Sequence, residues 1–456
     1  MPSPGPSPEG KGPAQKKSGF FSDVRAVSIA RVATIAISFG TSVLLARALG
    51  PSDRGLLAAI VLIPTLVASV FESGVRQSTA FHIAKETFPE QQILAGLVSI
   101  FILISGIGFL ACLVALMSFR FNDVPLSTFL LVSSLVPLFL LRSFSSGVFL
   151  GKGQIVKFNG TFWVPELIRF ALIAIFALGV GLSVVLAVGA QIAALMMIVL
   201  YGLLLIHRMV GFRLTFSKSA ISVLAKTGFG FGLSLFLIVL NYKIGTLILH
   251  QYSTSAEVGY FAVALTLAEL LWQLPTVLNS LLFQRSAKTK ARGAFSVQVL
   301  ALMRLTVFAA SGLAVIAVAI APIFVPLVFG EAFTPSVLPM AVLLPGIVVM
   351  CVFKILASEI GGAGRPMLSI IATVPCVLVN VALGYLLVPS LGAVGAALAT
   401  SFAYLTCSVI YCAIYMRITG TKLSQLAVPR RADFDLLFSK IPALSGRFAD
   451  RFKNNR

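Results

Sequence analysis

Residues 40–60 read Gly40-Thr-Ser-Val-Leu-Leu-Ala-Arg-Ala-Leu-Gly50-Pro-Ser-Asp-Arg-Gly-Leu-Leu-Ala-Ala-Ile60, and an apolar run then leads to Glu72-Ser-Gly-Val-Arg76 and Ala84-Lys85. Two apolar arms flank Gly50-Pro51-Ser52-Asp53-Arg54-Gly55. A glycine-proline pair followed by small polar residues is turn chemistry. The stretch therefore predicts a helical hairpin whose arms each cross a bilayer. The pattern returns later in the chain. Gly245 answers Gly40, Gly259 answers Gly55 and Ala287-Lys288 answers Ala84-Lys85, at offsets of 205, 204 and 203. That drift predicts two copies of one module differing by small deletions.

Composition agrees with a membrane protein. Of 456 residues, 58% are hydrophobic and only 11% charged, with mean hydropathy +1.01; an ordinary soluble domain carries about 25% charged residues. Apolar runs of ~20 residues recur, which is the signature of membrane helices. Twelve spans are expected, at 27–48, 56–72, 93–117, 127–150, 163–182, 184–206, 228–250, 258–283, 300–325, 337–359, 367–388 and 392–415. Further pairs tie the later spans of the two halves together. Gly153 matches Gly364, Pro165 matches Pro375 and Gly181 matches Gly392, at offsets of 210 or 211. Six spans per half is an even number, so the repeat is parallel, with its pseudo-two-fold axis along the membrane normal. The expected organisation is a disordered tail (1–24), a six-helix N-lobe (25–210), a linker (211–226), a six-helix C-lobe (227–418) and a basic amphipathic tail (419–456).

The net charge of +20 invites a nucleic-acid reading, but its distribution rejects one. On this topology twenty-six Lys and Arg fall on the side holding both termini, against Arg47, Arg54 and Arg120 on the other. That is the positive-inside asymmetry, which places both ends in the cytoplasm against anionic lipid. In the tail, Phe434, Leu437, Phe438 and Ile441, then Leu444, Phe448 and Phe452, recur at helical spacing among basic residues. They predict one or two short helices lying on the inner leaflet, as an anchor or as a docking point for a biosynthetic partner. The five cysteines lie in apolar runs and lack metal-ligand spacing. No cofactor and no metal is expected.

Six basic residues fall inside spans: Arg31, Arg142, Arg169, Lys243, Arg304 and Lys354. Glu72, Glu166, Glu269 and Glu359 lie in spans or at their rims. A charge at the bilayer centre costs ~2.5–3.5 kcal/mol or more, so such residues normally face a bundle interior or a wet cavity. Arg31 and Arg304 lie close enough to a span end to snorkel instead. Arg142 and Lys354, 212 residues apart, are nearly at the repeat offset and predict cations on two sides of a central cavity. Arg169 follows Glu166 by one turn, as a local ion pair would, and its repeat partner is Asn380. Lys243 and Glu269 lie at similar depth on neighbouring spans, which fits a structural pair or one broken by a substrate anion or a proton. Trp272 and Gln273 follow Glu269 at helical spacing and add aromatic and amide chemistry suited to sugar. Pro64, Pro137, Pro275, Pro345 and Pro375 mark kinks or bending points, whereas Pro165 is expected in a first helical turn, where proline is harmless.

Residues 44–55, the run Gly362-Ala-Gly364-Arg-Pro366, Val379-Asn380-Val-Ala-Leu383 and 391–400 resemble the polysaccharide-biosynthesis flippases of the multidrug/oligosaccharidyl-lipid/polysaccharide exporter superfamily. The resemblance spans residues 25 to 420 and implies an all-α polytopic membrane protein, with twelve helices in two pseudo-symmetric lobes around a central cavity. It implies a bacterial inner-membrane transporter, not an enzyme, that moves polyprenyl-diphosphate-linked oligosaccharide (for O-antigen, capsule or exopolysaccharide) to the outer leaflet. Cationic cavity residues would engage the diphosphate, and polymerase or assembly proteins would be partners. A drug-cation antiporter would need buried carboxylates, and the first span carries Arg31 and no acid. A membrane glycosyltransferase or polymerase would need paired carboxylates and a sizeable loop, and the sequence shows neither. A non-transporting assembly scaffold is the remaining alternative.

Overall fold

The computed structural model describes residues 20–427 and Asp433, apart from 73, 120, 122–123, 212–217, 289–291 and 366. The helices expected between 434 and 452, the first part of the N-terminal tail and the middle of the linker lie outside the described residues. Within them every regular element is helical. The N-lobe contains α1 (Phe20–Glu72), α2 (Val75–Ala84), α3 (Glu90–Ser118), α4 (Leu126–Ser133), α5 (Leu135–Gly151), α6 (Ile155–Gly179) and α7 (Val184–Val210). The C-lobe contains α8 (Lys218–Tyr252), α9 (Ser255–Glu269), α10 (Gln273–Lys288), α11 (Arg292–Phe329), α12 (Val337–Gly362) and α13 (Leu368–Thr419), and the short α14 (Leu423–Ala427) follows. Two boundaries move. Helix begins at Phe20, inside the stretch expected to be disordered, and at Lys218, inside the expected linker.

Ten helices among the described residues are long and apolar enough to cross a bilayer. Two of them, Arg31–Glu72 at 42 residues and Leu368–Thr419 at 52, far exceed the ~20 that a crossing takes. Each is broken once in non-helical geometry, at Gly50 (φ 72°) and at Gly392 (φ 52°). Counted as two arms each, they make the architecture consistent with twelve spans. The repeat is also written in the backbone. Gly153 and Gly364 both take positive φ, and so do Gly181 and Gly392, a conformation that glycine alone adopts without strain.

The first break occupies Gly50 alone, not the six residues expected of a turn. Pro51 opens the second arm, where its missing N–H costs nothing, and Asp53 sits in the first turn, favoured by the helix dipole. Arg54 therefore belongs to a helix and not to a loop. Pro137 and Pro275 coincide with real interruptions: α4 gives way to α5 at Ser134, and a 3-10 turn, Leu270–Trp272, separates α9 from α10. Each proline deprives a carbonyl about one turn earlier of its partner. Pro64, Pro345 and Pro375 sit in unbroken helix. Pro165 does too, because α6 starts at Ile155, eight residues before the expected span.

Call the end carrying Gly50, Thr254 and Gly392 the hairpin end, and the other the basic end. At the hairpin end the lobes touch backbone to backbone. A Cβ on Gly55 would lie 2.7 Å from the Gly259 nitrogen and overlap the Ser255 carbonyl, and a Cβ on Gly259 would overlap the Pro51 carbonyl. These two glycines are repeat partners, so the contact sits on the pseudo-two-fold axis. Nearby, Arg47 donates to the carbonyls of Val328 (2.7 Å) and Leu327, capping the end of α11. Glu257 accepts from the Ala393 N–H at 2.7 Å, just past the Gly392 break. Inside the C-lobe, Ser401 and Ser408 donate to the carbonyls of Val342 (2.7 Å) and Val349 (2.9 Å). Small hydroxyl residues seven apart let α12 and α13 pack closely.

Candidate functional site

Between the lobes lies a cavity of about 850 Å³. The N-lobe contributes most of its wall, through α1, α6 and α7; the C-lobe contributes α8, α9 and Gln273. Four cations line it, Arg31, Arg54, Arg169 and Lys243, and Glu269 is the one carboxylate on that wall among the described residues. Arg31 donates to the Gln273 side-chain oxygen at 3.2 Å and so bridges α1 to α10 across the cavity. Arg54 and Arg169 are near enough for their like charges to repel. Each has a buried Nε with no hydrogen-bond partner among the described residues. Lys243 and Glu269 both reach this wall, but no ion pair joins them.

A side pocket of about 320 Å³ adjoins the cavity, sharing Thr65, Phe162, Arg169 and Gln191 with it. Its charged residues are Glu72, Arg76, Arg142, Glu166 and Arg169. Arg169 pairs with Glu166 at 2.8 Å and Arg76 with Glu72 at 3.5 Å. Arg142 instead lies between the Phe139 and Phe162 rings, 5.6 and 5.7 Å from their centroids.

Four expected site residues lie elsewhere. Lys354 is off the cavity wall, its Nζ 3.9 Å from the Trp272 ring centroid and 5.3 Å from that of Tyr242, an arrangement in which the rings' negative faces hold the cation. Trp272 does not share a face with Glu269 and Gln273. The 3-10 turn re-aims it into the C-lobe, where its indole N–H donates to the Ile347 carbonyl at 3.3 Å. Asn380 is fully buried and donates to the Asn241 carbonyl at 3.2 Å. Arg304 neither snorkels nor lines the cavity. It is buried at the basic end, gripped by both Asp433 carboxylate oxygens (2.7 and 2.5 Å) and by the Gln425 carbonyl. It borders a separate cavity of about 660 Å³ with Glu359 and Arg365. There Glu359 accepts from Ser296 at 2.5 Å and from Tyr415 at 2.8 Å.

The cavity also shows what the sequence reading left out. Arg54 was expected in an outer loop. Phe158, Asn159, Phe162 and Trp163 face the cavity from the first turns of α6, and Gln191 from α7. The available signal was the i, i+4 spacing of Phe158 with Phe162 and of Asn159 with Trp163, which becomes visible once α6 is extended back to Ile155.

The family described as polysaccharide biosynthesis protein matches residues 21–277, more than half of the chain. The chain belongs to that family. No curated protein sequence matches it. Solved structures show what fold this polysaccharide biosynthesis protein has. It is similar to the lipid II flippase MurJ in an inward closed conformation, with TM-score 0.72, 14% identity and 88% of each chain covered. It is also similar to an inward-facing multidrug resistance MATE family transporter of the MOP superfamily, with TM-score 0.67, 15% identity, and 87% of this chain and 98% of that one covered. An outward-facing transporter of the same description gives TM-score 0.61 at 14% identity, over 88% and 96%. The protein is thus a multi-pass membrane protein with the fold of the exporter superfamily.

Proposed function

We propose that this protein moves a lipid-linked, anionic saccharide across the membrane by alternating access, its hairpin end outward and both termini in the cytoplasm. The observation that carries the reading is the charge of the cavity wall, four cations to one carboxylate. A saccharide diphosphate cannot enter hydrocarbon unpaired. Charge-assisted bonds from guanidinium to phosphate supply the pairing, and Arg fits phosphate with two parallel bonds. Arg54 and Arg169, each with a spare buried Nε, are the leading diphosphate ligands, with Lys243 and Arg31 as further cations. A polyprenyl tail gains ~0.8 kcal/mol per buried CH₂ and stays in lipid throughout. The protein needs only to shelter the headgroup. Contact between Gly55 and Gly259 closes the outer side in this conformation, so loading is from the cytoplasm. Anionic lipids around the basic end and polysaccharide-assembly proteins are the expected partners.

The same cavity disfavours a cationic drug. At an effective dielectric of ~20, a guanidinium ~8 Å away repels a cation by about 2 kcal/mol. The test is reconstitution of the full chain in vesicles carrying a labelled polyprenyl-diphosphate oligosaccharide on one leaflet. Wild-type protein should bring the sugar within reach of an added lectin on the far side. Movement no faster than in protein-free vesicles, or efflux of cationic dye in its place, would defeat the reading.

A further inference from the structure

The side pocket of the N-lobe is one negative charge short. It holds three arginines and two glutamates. Both carboxylates are engaged, Glu166 by Arg169 and Glu72 by Arg76. Arg142 is the remainder. Among the described residues its guanidinium has no hydrogen bond and no contact ion pair; two phenylalanine rings lie beside it, and Glu166 and Glu72 act on it only from beyond contact distance. A charge set this deep without a carboxylate in contact is costly, and a guanidinium fork is shaped for one. The walls fit the same guest. Phe139 and Phe162 offer apolar faces, while Ser143, Ser146 and Gln191 add polar groups. At ~30 Å³ per water, 320 Å³ is room for about ten waters, which suits one sugar ring and not a chain of them.

We propose that this pocket takes a single acidic sugar of the transported saccharide, a uronic acid or a carboxyl-bearing hexose, with its carboxylate on Arg142. The sugar enters from the main cavity past Phe162 and Gln191, which line both spaces. The inference rests on the saccharide-transport reading and adds to it the chemistry of one sugar.

Two polyprenyl-diphosphate trisaccharides, alike except that one carries glucuronic acid where the other carries glucose, are compared in vesicles holding the full chain. Wild-type protein should move the acidic lipid about tenfold faster or more. Arg142→Gln should bring it down to the neutral rate while leaving the neutral lipid's rate unchanged. Gln191→Glu, nearly isosteric, sets a competing carboxylate at the pocket mouth and should also erase the preference, which keeps the idea testable if Arg142→Gln does not fold. Free sodium glucuronate should inhibit transport of the acidic lipid; equal inhibition by sodium acetate would mean that the pocket takes any small anion and would overturn the sugar assignment. Equal wild-type rates for the two lipids, or equal slowing of both by Arg142→Gln, would overturn the pocket and leave the transport reading standing. If wild-type protein moves neither lipid, both fall.

Discussion

Arg142 and Lys354 lie at nearly equivalent places in the two lobes, and each has two aromatic rings beside it. There the likeness ends. Arg142 lines a pocket that adjoins the central cavity and shares four wall residues with it. Lys354 lies half-buried against Trp272 and Tyr242, off the cavity wall, and Tyr404 sits tilted beyond them, 5.5 Å from Trp272. One of these two cations lines a pocket and the other packs against rings inside its lobe. The lining follows the same division, since the C-lobe repeat of α6 contributes nothing to the cavity wall among the described residues. The N-lobe supplies most of the cavity wall, and Lys243, Glu269 and Gln273 of the C-lobe complete it.

This division can be broken by experiment. The largest expected effect is on stability: Trp272→Ala empties the C-lobe box and should cost about 3–5 kcal/mol, the range for a large aromatic lost from a core. It would be read as a lowered melting midpoint in detergent, against little change for Phe162→Ala at the open pocket. Next come the cavity cations. Arg54→Gln, Arg169→Gln and Lys243→Ala each remove a charged contact worth ~1.5–3 kcal/mol. Each should cut transport by about tenfold or more, with protein levels in the membrane unchanged. Lys354→Met keeps the volume and drops the charge. Because buried ions often yield to apolar groups of like size without loss, its melting midpoint should hold and transport should stay within about threefold of wild type. A large transport defect in a well-folded Lys354→Met would return that lysine to the mechanism. The smallest effect belongs to Arg47→Gln at the exposed end of α11, about 0.3–1 kcal/mol for a lost helix-end cation.

Features tied to local rules were legible in the sequence. The repeat could be read because glycine is what a positive φ demands, and so Gly153, Gly181, Gly364 and Gly392 stayed in register. Lys243, Glu269, Gln273 and Arg31 could be placed because depth along a helix follows from counting residues. What escaped depended on one-residue events or distant partners. Gly50 turns the chain alone, which put Arg54 on a helix. The 3-10 turn before Pro275 rotated Trp272 away and left the aromatic role in the cavity to Trp163 and its neighbours. Arg304 is held by Asp433, 129 residues away in sequence, a pairing that no periodicity announces.

The seam at Gly55 and Gly259 has a consequence for the proposed cycle. At those two positions there is no side chain to interlock, although Leu57 and Ile60 on one side and Val258 and Phe261 on the other share one buried core around them. The glycine contact itself is lost and remade without repacking a side chain, which suits a molecule that must reset after every passenger. Its weakness is of the same origin: a single methyl on either glycine would wedge it ajar.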